Sequence, residues 1–169
     1  MTSDPAGDTD LRRRRLLGVG LGADLVSAKD VARDVSLVAT PGGVDLAVVA
    51  GIDNLCQDLA MSLTTLRGSD VFNQGFGFLG LGALTEQTSP VLAREGVRSA
   101  VAECIAADPR VRRIVDLQVD NPMATPPGNR ALAVQVAFET VTGDSQSVIS
   151  EGLATGGDWG SVETQGDQT

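Results

Sequence analysis

An α+β fold is what this sequence predicts: two amphipathic helices packed on a small, mostly antiparallel or mixed sheet. Three observations carry the prediction. Two segments, 51–68 and 89–108, repeat apolar residues at helical spacing. Two later segments, 112–120 and 129–141, alternate apolar and polar residues as half-buried strands do. Helical runs followed by strand runs place helices on one face of an antiparallel sheet.

The 169 residues divide into an arm (1–16) expected to be disordered, a domain (17–150) and a disordered acidic tail (151–169). Hydrophobic residues make up 42% and aromatic residues only 3%, so the core is aliphatic. The net charge of −9 excludes a general nucleic-acid binder, whose phosphate contacts need a basic face. There is no histidine, which removes the commonest general base and metal ligand. No Asp or Glu cluster has metal-ligand spacing, and no cofactor is expected. Cys56 and Cys104 fall on apolar faces of predicted helices and read as buried, reduced thiols. Arg12 to Arg15 precede LLGVGLGADLVSA, but that run is short, glycine-rich and broken by Asp24, and acids come before the arginines. An arm is expected there rather than an export signal. No stretch has the apolar length of a bilayer span, so no direct membrane insertion is expected.

In chain order, Leu17 to Leu25 is glycine-rich and expected to be irregular. SLVAT and VDLAVVA look extended, with Pro41-Gly42-Gly43 as the turn between them. In the first helix Ile52, Leu55, Cys56, Leu59, Ala60, Leu63 and Leu66 make one stripe. Asp53 and Asn54 suit its start, and Arg67 with Gly68 its end. SDVFNQGFGFLGLGALTEQ reads as a connector whose phenylalanines fold onto the core; its glycines lack the lysine and strand-to-helix context of a phosphate cradle. Ser89 and Pro90 open the second helix, Val97, Ala100, Val101, Cys104 and Ile105 form its apolar face, and Pro109 stops it. In the first strand of the expected long-looped hairpin, Val115, Leu117 and Val119 point one way. In the second, Leu132, Val134, Val136 and Phe138 do so. SQSVIS is a further strand or an arm, and Trp159 stands alone in the tail.

Glycosidase chemistry needs two carboxylates flanking a cleft, one with a raised pKa. Glu86, Glu95, Glu103 and Asp108 are the candidates by type, but nothing pairs one with an apolar pocket. Nucleophilic catalysis lacks both a histidine and a serine in a sharp strand-to-helix elbow. Asp108-Pro109-Arg110 sits where a helix meets a strand. An arginine there can donate forked hydrogen bonds to a carboxylate or to helix-end carbonyls, fixing a corner or a partner; the residues alone leave both open.

Several short motifs follow one another in a distinctive order. LGVGLGADL opens the domain; the first helix carries Asn54, Leu55 and Gln57 and leads to Thr65-Leu66-Arg67-Gly68-Ser69. Phe76-Gly77 comes next, and the second helix ends in Asp108-Pro109-Arg110. This order resembles the small baseplate wedge protein of contractile phage tails and contractile injection systems, a family historically labelled lysozyme-like. Family members show an Asn-Leu-x-Gln helix, a Thr-x-x-Gly-Glu turn, a Tyr-Gly or Phe-Gly element and a Glu-Pro-Arg corner. The resemblance covers about residues 17 to 142, with Ser69 replacing the turn Glu and Asp108 the corner Glu. The second change keeps the charge and shortens its reach by one methylene.

The resemblance implies a domain similar to the sheath's interlocking (handshake) domain, and a structural rather than enzymatic role. It implies a subunit that joins larger wedge proteins in a core bundle around the tail tube and starts the contractile sheath by sharing strands. Larger wedge proteins, the sheath subunit and tube or hub proteins are the implied partners, at six copies per particle. The implied location is the bacterial cytoplasm during assembly, then the tail-like particle. Asn54, Gln57, Gly68, Phe76, Gly77, Asp108, Pro109 and Arg110 are the implied interface and structural residues. The alternatives are a peptidoglycan hydrolase and a small regulatory adaptor of the same fold.

Overall fold

The computed structural model describes residues 5–26, 33–80, 89–119 and 133–151. It is an α+β mix of helices and small antiparallel sheets, as the sequence predicts.

Helix α1 spans Pro5–Leu17, with Asp8 in its first turn and Arg14 and Arg15 in its last, the order of charge that complements a helix dipole. Composition assigns this stretch to a loose arm; it is instead helical and tied down at its C-terminal end. Leu17 is fully buried, and Gly18, at φ +90°, ends the helix with its N–H on the Arg14 carbonyl at 3.1 Å. Arg13 reaches Asp144 in the turn that follows Thr140, with Nε donating to Oδ2 at 3.1 Å. That hydrogen bond, helped by one from Thr142 and by the Arg13 charge, outweighs burial and holds the Asp144 carboxyl below the usual carboxylate range. A depressed folded-state pKa gives stability above about pH 4 that is lost as pH falls through the folded value. We expect Asp144→Asn to loosen α1 at neutral pH by under about 1 kcal/mol, because the pair is partly exposed. NMR shifts of the α1 amides check this; spectra unchanged both in the variant and in the parent between pH 5 and pH 2.5 exclude the clamp.

After α1 the chain makes a three-armed junction. Strand β1 (Val19–Leu21) pairs with β6 (Val48–Ala50), β2 (Ala23–Leu25) with β3 (Arg33–Val35), and β4 (Leu37–Thr40) with β5 (Gly43–Leu46), all antiparallel. The arms meet in a closed triangle of backbone hydrogen bonds: Gly22 to Ala47 at 2.9 Å, Ala47 to Ser36 at 2.8 Å and Ser36 to Gly22 at 2.8 Å. The expected irregular segment, 17–25, is thus two short strands. Its glycines serve close approach: a Cβ on Gly22 would lie 3.2 Å from the Ala47 Cβ, and one on Gly20 would lie 2.4 Å from Asn54 Oδ1. The turn after β4 falls at 41–42, as Pro41-Gly42-Gly43 signals.

Helix α2 (Ile52–Thr64) buries Asn54, Leu55, Cys56, Leu59, Ala60 and Leu63. Gly51 stands at its N-cap without a side-chain cap, and the helix ends before Leu66, which is exposed. Gly68, at φ +84°, therefore sits in a turn beyond the helix rather than at its C-cap. Helix α3 (Pro90–Ala106) starts with proline at its first position and buries Ala93, Val97, Val101 and Ile105. Ser89 is its N-cap but makes no side-chain hydrogen bond there.

Strands β7 (Val111–Val119), β8 (Ala133–Thr140) and β9 (Ser145–Glu151) form one antiparallel sheet in that order. The SQSVIS segment is thus a strand. Two register shifts interrupt the β7–β8 pairing, after Val111 and after Ile114. They reset the alternation, so Val111, Ile114, Leu117 and Val119 face the core and Val115 is exposed, against the simple period-two expectation. Leu55, Leu59 and Leu63 of α2, Val97, Val101 and Ile105 of α3, and Val134, Val136, Phe138 and Val148 of the sheet make a mostly aliphatic core, with Leu17 and Phe78 closing it. The loop expected at 121–129, Leu132, Glu86 and Trp159 lie outside the described residues, as does the tail after Glu151.

Candidate functional site

The corner after α3 is built from Asp108. Its Oδ1 accepts the Arg110 backbone N–H at 2.9 Å, closing a turn around Pro109. The Arg110 guanidinium then forks onto the same carboxylate, Nε to Oδ1 at 2.9 Å and one terminal nitrogen to Oδ2 at 2.7 Å. Its other terminal nitrogen donates to the Leu17 carbonyl at 2.9 Å and to Asp58 Oδ2 at 2.8 Å. Both uses foreseen for this arginine are present: one carboxylate fork and one helix-end carbonyl. Asn54 completes the cluster, its Nδ2 donating to the same Leu17 carbonyl at 3.2 Å and to Asp58 at 3.1 Å. The end of α1, the middle of α2 at Asp58 and the corner after α3 are therefore tied through the Arg110 side chain.

The electrostatics favour a fixed ion pair. Burial pushes the Asp108 carboxyl up, but the Arg110 side-chain and backbone hydrogen bonds and its charge outweigh that and leave it below the usual range. The Asp108 hydrogen bond raises Arg110; desolvation opposes it and the Asp58 contact adds to it. Among the described residues, each carboxylate whose pKa is displaced moves downward, beside an arginine. That is the opposite of what a glycosidic general acid needs. Glu95 is exposed beside Arg94 and Arg98, and Glu103 is exposed beside Arg67.

Beyond the corner lies a cleft of about 430 Å³, with Asp58, Met61, Phe76, Cys104, Pro109 and Arg110 on its wall. Phe76-Gly77 is held there by a backbone bridge: Phe78 donates to the Thr65 carbonyl at 2.8 Å and Arg67 to the Phe78 carbonyl at 3.2 Å. Phe78 is buried, as the connector reading predicts, but Phe72 is fully exposed. Cys104 is half-buried against Ser62 Oγ at 3.2 Å, and Cys56 is buried deeper, its thiol pushed up to about 11 by burial and then by the Asp53 charge. Both are free thiols.

Of the residues singled out from the sequence, Asn54, Asp108 and Arg110 share one network, and Pro109, Phe76 and Gly77 border it. Gln57 works one turn along. Its side-chain amide takes the Ala23 N–H and donates to the Leu21 carbonyl, both at 2.9 Å, and so stands in for a strand partner at that edge. Gly68 is apart from the cluster, with open space around it. Sequence reasoning missed Asp58, the Leu17 carbonyl and Gly18, whose Cβ would lie 3.1 Å from Asn54 Nδ2.

No protein-family model and no curated protein matches the chain. Among solved structures, the crystal structure of a "putative tail lysozyme" from Geobacter sulfurreducens is similar, at 15% identity and a TM-score of 0.42. The match covers 63% of this chain and 87% of that one. No helix of the described residues is long and apolar enough to cross a membrane, and no group of three or more Cys, Asp or Glu among them could hold a metal ion.

Proposed function

We propose that this chain is a structural baseplate subunit of a contractile phage tail or injection system, joining larger wedge proteins and starting the sheath. The observation that carries the reading is convergence. Motifs from three separate segments, Asn54, Phe76-Gly77 and Asp108-Pro109-Arg110, come together at one corner that ties three helices and borders a cleft. A corner locked by an arginine supports positioning of a neighbour; its carboxylates are already neutralised and poorly suited to hydrolysis.

Two further features support assembly, one of them strand sharing. In the order β7-β8-β9 the outer edges of β7 and β9 have no strand partner among the described residues. Such edges offer unpaired backbone groups to an incoming strand. Helix α1 buries only Leu17 among residues 7–17, so most of its surface is available to a helical partner. The chain then sits in the particle, with wedge, sheath and tube or hub proteins as neighbours.

Sedimentation of a native host lysate, with mass spectrometry of the pellet, tests this. The chain is expected to pellet with a sheath protein and larger wedge proteins. If it remains in the supernatant while sheath particles pellet, the assembly reading fails.

A further inference from the structure

The three-armed junction turns its apolar side outward. Residues flanking the Gly22–Ser36–Ala47 triangle pair as Leu21 with Val48, Ala23 with Val35, and Leu37 with Leu46. Paired residues share a face, and alternation along each strand carries that face from arm to arm. It is also the face opposite Gly20, which backs onto Asn54 and the rest of the fold. Leu21, Val35, Leu37, Val44, Leu46 and Val48 therefore share one outward surface, each between 43% and 71% exposed. The acids of the arms, Asp24, Asp34 and Asp45, fall on the other side by the same register.

Sheets normally bury their aliphatic side and wet the polar one. Here Gly20, Gly22, Ser36 and Ala47 face inward at the junction and six large aliphatic residues face water, which marks a surface with an occupant. We propose that the occupant is a second copy of this chain, packed face to face through the junctions. An aliphatic face can meet its own copy across a twofold axis, with Arg33, on the same face by register, at the end of the β2–β3 arm. It brings no carboxylate into the contact, although each copy carries a net charge of −9. Complete burial of these six residues would remove roughly 600 Å² per copy and about 1,200 Å² per pair, the lower bound of a specific interface. Flat aliphatic sheet faces stack in this way in sandwiches. This inference is independent of the proposed function.

Sedimentation velocity of the full chain from 1 to 100 µM tests it. The parent chain is expected to reach twice the 17.4 kDa chain mass within that range. Association should tighten as NaCl rises from 0.05 to 0.5 M, because salt screens the like charges and leaves apolar burial intact. Leu37→Lys with Val44→Lys, on an arm exposed on both sides, should weaken association at least tenfold with an unchanged thermal transition. Val38→Lys, on the opposite side of the same arm, should leave it intact. A parent chain that stays monomeric at 100 µM overturns the proposal. So does a dimer that survives the double substitution, is lost in Val38→Lys, or dissociates as salt rises.

Discussion

Arg110→Ala is expected to lower the unfolding free energy by roughly 2–4 kcal/mol, with the isolated chain still folded. The substitution removes five side-chain hydrogen bonds at once and strands Asp108, Asp58 and the Leu17 carbonyl without their shared donor. Asp108 is largely enclosed, so its unpaired charge makes a large part of the loss; Asp58 is wetter and contributes less. Arg110→Lys should recover less than half, because an ammonium cannot fork onto a carboxylate and reach a carbonyl in the opposite direction. Urea unfolding at pH 7 measures both. The sign with pH follows from Asp108. Its folded-state pKa is depressed, so the stability it brings is present above about pH 4 and is lost as pH falls through the folded value. The gap between parent and Arg110→Ala should therefore narrow below pH 4. A gap under about 0.5 kcal/mol at pH 7 removes the corner as a structural tie. In the particle the same change is expected to block sheath assembly, since α1 and the corner lose their common anchor.

The chemistry of this corner was legible because it is local. Asp108, Pro109 and Arg110 are adjacent, and a rigid proline between an acid and a fork-shaped donor has few geometries available. Arg110's remaining partners were not legible. Leu17 lies 93 residues away, and a backbone carbonyl leaves no mark on the sequence. The same division runs through the fold. The stripes of α2 and α3 were readable, since burial of Leu55, Leu59, Val97 and Val101 follows helical spacing directly. The facing of β7 was not, because two bulges each insert a residue without a distinctive side chain. The glycines of 17–25 read as irregular backbone when taken locally. Their reason is Asn54 and Ala47, side chains that fold over them from distant positions. Gly68 illustrates the reverse error: a local capping rule selected it, although α2 had already ended at Thr64.

Gly77→Ala is expected to cost roughly 3–4 kcal/mol, more than a glycine substitution in a turn ordinarily does. Gly77 has φ +108°, a conformation that itself costs an L-residue about 1–2 kcal/mol. A Cβ there would also lie 2.6 Å from the Thr65 carbonyl oxygen and 2.8 Å from the Arg67 nitrogen. These are the two backbone atoms that bind Phe78 in the bridge, so neither can move aside without breaking it. Once the bridge opens, Phe78 loses its hold in the core and Phe76 its place on the cleft wall. Gly68→Ala is the control, because Gly68 also has positive φ, +84°, but open space around its Cβ. It should cost only about 1–2 kcal/mol, the backbone penalty alone. The difference between the two substitutions, read from urea unfolding of each variant, isolates the close approach from the strained dihedral. Equal losses would mean that the 65–67 and 76–78 segments separate freely, and that the Phe-Gly motif is held by its own turn rather than by the end of α2.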